Sequence, residues 1–102
     1  MDSRALIVLA LAAACAGPEP SAKIVAVERS PEPGHERVTV DVRNDGGHGE
    51  VTLELTLHGH GGVVVRDTRH VDMKSHERLS VAIDVPAPPD TYTASIDVRY
   101  PD

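Results

Sequence analysis

From residue 22 onward the chain alternates apolar and polar residues with a period of two, the spacing of half-buried strands. Val25 and Val27 share one face of a first segment, Lys23 to Glu28. Val38, Val40 and Val42 alternate with Thr39, Asp41 and Arg43. Val51, Leu53, Leu55 and Leu57 alternate with Thr52, Glu54 and Thr56. A less regular segment opens at Val63 and reaches about Met73. Leu79, Val81, Ile83 and Val85 form the next apolar row, and Tyr92, Ala94, Ile96, Val98 and Tyr100 the last. Between these rows lie turn-rich clusters: Arg29–Glu36, Asn44–Gly47, His58–Gly62 and Pro86–Asp90. Asn44 and Gly46 tolerate positive φ and mark a tight turn. The pattern predicts six or seven strands, no helix after residue 21, and an all-β antiparallel sandwich over residues 22–102.

The first fifteen residues follow another rule. Arg4 precedes ten apolar residues, Ala5 to Ala14, and then Cys15. A bilayer span takes ~20 residues, so this run fits the core of an export signal. Leu11-Ala12-Ala13-Ala14-Cys15 resembles a bacterial lipobox, in which small residues precede a cysteine that becomes the lipidated first residue. The resemblance implies a signal peptide at 1–14 and a lipid on Cys15. An ordinary signal cut after Ala12-Ala13-Ala14 is the rival, and it gives a secreted protein. Either reading predicts an extracytoplasmic location, at the cell membrane or outer envelope if lipidated. Residues 15–21, with two prolines and a glycine, read as a short stiff tether.

Composition narrows the function. A single cysteine excludes an internal disulfide and any Cys-rich metal centre. A formal charge of -6 opposes phosphate-backbone binding, and two tyrosines as the only aromatics give no stacking platform, so no nucleic-acid partner is expected. No serine stands in a Gly-x-Ser-x-Gly setting, and no glycine loop leads into a helix, so the protein is not expected to be an enzyme. Six histidines are the remaining chemistry. His58 and His60 would share the outward face of a continuing strand, with His35 at the same end of the sandwich and Glu36 nearby. Together they could hold Zn²⁺ or Cu²⁺. The plainer alternative makes them exposed loop residues with no cofactor beyond the lipid.

Val38-Thr39-Val40-Asp41-Val42-Arg43-Asn44-Asp45-Gly46 resembles the second strand and following turn of bacterial immunoglobulin-like modules of the CARDB-like and FxLYD-like groups. Pro89-Asp90-Thr91-Tyr92-Thr93-Ala94 resembles the approach to strand F in these and in fibronectin type III domains. The resemblance implies an immunoglobulin-like fold used for binding or spacing, with a protein partner beside the membrane. It also implies that the Tyr92 hydroxyl bonds back to the preceding corner. Strand order A, B, C, C′, E, F would leave strand F without its usual neighbour, a possible site for strand addition by an envelope complex.

Overall fold

The computed structural model describes residues 17–100. The export signal and Cys15 lie outside the described residues. Six strands form: β1 (Pro20–Arg29), β2 (His35–Asn44), β3 (Gly49–Gly59), β4 (Val64–Met73), β5 (Arg78–Pro86) and β6 (Tyr92–Arg99). They make two three-stranded antiparallel sheets, ordered β1-β2-β5 and β4-β3-β6. The all-β sandwich expected from the period-two rows is therefore the fold.

The two central strands, β2 and β3, supply most of the core because each is flanked on both sides. Val38, Val40 and Val42 of β2 face Val51, Leu53, Leu55 and Leu57 of β3, all 2% exposed or less. Ile83, Val85 and Met73 close the layer from the edge strands. β-Branched and leucine side chains on a period-two face give the dry interface that two packed sheets need.

The edge strands depart from the simple pattern. In β1 the pairing with β2 shifts register between Ile24 and Ala26, leaving Val25 as an extra residue. Val25 is consequently 60% exposed, while Ile24 and Val27 pack on the core. The expectation that Val25 and Val27 share a face fails because a bulge changes the alternation by one. The first strand also begins earlier than its apolar row suggests, at Pro20, where a strand's first residue tolerates a missing N–H. In β6 only Tyr92 is buried; Ala94, Ile96 and Val98 are half-buried, and Tyr100 beyond the strand is 42% exposed.

Truncating the core should be costly. Leu55→Ala and Ile83→Ala are each expected to lower unfolding free energy by ~2–5 kcal/mol, read by urea denaturation. Unchanged midpoints in both variants would refute the core assignment.

Candidate functional site

The antiparallel hairpins sort the loops onto two ends of the sandwich. At one end lie the β2–β3 loop, the β4–β5 turn and the incoming residues 17–19. Asn44, the last residue of β2, ties these three segments together. Its Oδ1 accepts from the N–H groups of Glu19 (3.0 Å) and Gly46 (2.9 Å). Its Nδ2 donates to the carbonyls of Gly47 (2.9 Å) and Lys74 (3.0 Å). The side chain is fully buried, so each of its polar atoms needs a partner, and each has two.

Backbone bonds extend the same junction. Asp45 N donates to Glu19 O (3.0 Å), Gly47 N to Gly17 O (3.1 Å) and Asn44 N to Glu77 O (2.9 Å). A Cβ on Gly46 would stand 2.5 Å from Gly17 O and 2.7 Å from Glu19 N. Gly46 therefore serves a close approach of backbones, not the positive φ expected from the Asn-Asp-Gly turn. Among the described residues, positive φ occurs at Gly34, Gly62 and His76. The stretch expected to be a tether is thus bound to the domain from residue 17 onward. Outside this junction is an open cleft of about 490 Å³ lined by Glu19, Asp45, His48, Ser75 and His76. His48 Nε2 lies 3.0 Å from Asp72 Oδ2 on its flank.

At the opposite end the β5–β6 loop crosses between the sheets. Tyr92 Oη donates to Pro88 O at 2.5 Å, and burial raises its phenol pKa. Asp90 Oδ2 accepts from Gly61 N (3.0 Å) and Oδ1 from Thr91 N (2.6 Å). Those bonds, Gly61 first, hold its pKa below the ordinary aspartate value.

The three histidines considered as ligands all lie at this end. His35 begins β2; its Nδ1–H donates to Pro33 O (3.1 Å), and Nε2 stands 3.6 Å from Glu32. His58 is in β3 of the other sheet. β3 ends at Gly59, so His60 sits in the turn, where its N–H donates to Thr91 O (3.0 Å). Among the described residues, no three His, Cys, Asp or Glu side chains gather at metal-binding spacing. Glu36 is buried and salt-bridged to Arg29 Nη1 at 2.8 Å. That guanidinium also donates to Ala87 O (3.2 Å).

Across the outer faces run ion pairs between strands. Arg37 chelates Asp84 directly opposite (2.7 and 3.0 Å), and Arg78 grips Asp41 (3.2 and 2.8 Å). Each arginine lowers its aspartate's pKa, chiefly through these hydrogen bonds. Both carboxylates occupy the polar positions of the period-two rows; their arginine partners emerge only with strand register.

Among solved structures, the sandwich is similar to a crystal structure of a DUF1425 family member from Shewanella sp. pv-4. The TM-score is 0.63 at 13% identity, over 83% of this chain and 81% of that chain. A likeness at that identity is one of fold. No protein-family model matches the chain, and no curated protein matches it.

Asn44→Ala would strand two backbone donors and two carbonyls at the junction. It should destabilise the protein by on the order of 3 kcal/mol, with faster amide exchange at Glu19 and Gly46. An unaltered denaturation midpoint would show that the junction is dispensable. Asp90 contributes to acid stability at the other end. Its folded pKa is depressed, so its contribution is present above the unfolded value and is lost as pH falls through the folded one. Asp90→Asn should lower stability near neutrality and flatten the loss as pH falls below the ordinary aspartate value of ~3.9, measured by urea midpoints on either side of it. A variant with the wild-type acid slope would exclude this role.

Proposed function

We propose that this protein is a membrane-anchored extracytoplasmic lipoprotein whose β-sandwich is a non-catalytic binding or assembly module. The observation carrying this reading is the arrangement of its N-terminal part. An apolar run and Leu11-Ala12-Ala13-Ala14-Cys15 stand directly ahead of a domain that is already hydrogen-bonded at Gly17. A diacylglycerol and an acyl chain on Cys15 would give the two-chain anchoring that one chain cannot. The resemblance of the Val38–Gly46 strand and turn to CARDB-like and FxLYD-like modules supports a binding role. Two of the buried polar side chains, Asn44 and Glu36, are engaged in holding the fold, which supports the non-catalytic reading.

The test is Cys15→Ser in cells, with flotation and intact mass as readouts. The wild type should float with membranes and carry the added mass of lipid at its N-terminus. The variant should leave the membrane fraction or accumulate unprocessed. Wild-type protein cut before an unmodified Cys15 would establish the secreted alternative, and undiminished flotation of the variant would overturn the anchor.

A further inference from the structure

The sandwich is open on the side bounded by β4 and β5. On the opposite side β1 runs beside β6 and Gly17 reaches Tyr100, so the edge expected to be free after strand F is covered. On β5, Asp84 O accepts from Arg69 Nη2 (3.4 Å), and Pro86 ends the strand. β4 pairs with β3 along one side, and among the described residues no strand pairs with its other side. It holds no proline, and its register with β3 is unbroken from Val64 to Met73. Its outer row, Val64, Arg66, Thr68, His70 and Asp72, is exposed throughout.

The inner row of β4 carries an ion pair. Val65, Asp67, Arg69 and Val71 stand opposite Leu57, Leu55, Leu53 and Val51, which point into the core. Directly opposed residues share a face, so these four point inward too. An inward charge on an edge strand keeps it solitary when a neighbouring strand would bury that charge unanswered. Here the two charges have opposite sign and adjoin on one face. Arg69 Nε donates to Asp67 Oδ2 at 2.6 Å. Arg69 Nη1 and Asp67 Oδ1 have no hydrogen-bond partner among the described residues. The row runs apolar, acid, base, apolar; reversed, it runs apolar, base, acid, apolar, and the two are complementary.

We infer that β4 is a self-association edge, on which two copies pair antiparallel about a two-fold axis at Thr68. Both inner rows must stay inward, so the axis passes through a residue and not between two. An axis at Asp67 sets carboxylate against carboxylate, and one at Arg69 sets guanidinium against guanidinium. An axis at His70 sets Arg66 against the partner's Lys74. The axis at Thr68 sets Asp67 opposite the partner's Arg69, twice by symmetry, and Val65 opposite the partner's Val71. Each guanidinium then lies between its own Asp67 and the partner's Asp67. In the outer row Arg66 stands opposite the partner's His70 and diagonal to the partner's Asp72. The ladder covers residues 64–72 of each copy, all within β4. The interface is isologous and joins two three-stranded sheets into one of six. The axis is perpendicular to the sheet and keeps both chain entries at one height along it. Two anchors in one leaflet are therefore compatible with the pair, and the pairing itself needs no lipid.

Sedimentation equilibrium of the full-length chain in density-matched detergent tests the pairing, with circular dichroism to verify folding. The wild type should show a monomer–dimer equilibrium. Asp67→Arg and Arg69→Asp should each weaken it by about tenfold or more, since each variant faces like charge across the axis. An equimolar mixture of the two should dimerise again, because both cross-axis pairs are then complementary. A wild type that stays monomeric at every concentration overturns the inference and makes the inward charges a guard of the edge. A dimer indifferent to both variants, or unrestored on mixing, overturns it as well. Should a variant not fold, amide exchange in wild-type β4 decides. Protection that rises with protein concentration supports the edge pairing, and protection independent of it refutes the pairing.

Discussion

Asn44 must satisfy four hydrogen bonds in a place where water does not reach, and the lower half of the molecule is arranged around that requirement. The amide reaches the incoming chain at Glu19, the β2–β3 loop at Gly46 and Gly47, and the β4–β5 turn at Lys74. A buried amide with all its atoms paired specifies one arrangement of its neighbours, because any other arrangement leaves a donor or acceptor dry. The cost of such a group is high and its tolerance low, so Gly46 has to be small and residues 17–19 have to lie where they do. The apolar rows of β2 and β3 could pack with several loop geometries; the amide selects one.

The other end solves the same problem with charge. Asp90 accepts backbone N–H groups from the facing turn, and Arg29 joins Glu36 to the carbonyl of Ala87. Here a carboxylate and a guanidinium do what the neutral amide does below. Protonation weakens the Asp90 cap, whereas the Asn44 amide does not titrate.

The period-two rows made the strands and the core legible, since Val38, Leu55 and Ile83 sit in unbroken alternations that one buried face explains. The edge strands were less legible. Val25 falls outside the core because one residue is inserted in β1, and hydrophobicity alone does not mark a bulge. Asn44 and Gly46 stood out as turn residues, yet their reason is three-dimensional: partners 25 and 30 residues away in sequence for the amide, and an approaching backbone for the glycine. The histidines illustrate the converse. The hairpin order sends His35 and His58 to one end, but each belongs to a different sheet. Sequence spacing gives the end of a sandwich more readily than the distance across it.

The docking of residues 17–19 has a mechanical consequence. Gly17 is already fastened to Gly47, so a lipid at Cys15 would be joined to the domain by two residues, a span of at most ~7 Å. A long linker lets a domain sweep a hemisphere and search the space above a membrane. Held this closely, the sandwich would instead drift with its lipid, and its encounters would be two-dimensional. Partners confined to the same leaflet would meet it at a surface density, not a bulk concentration, so an association feeble in solution could become well populated there.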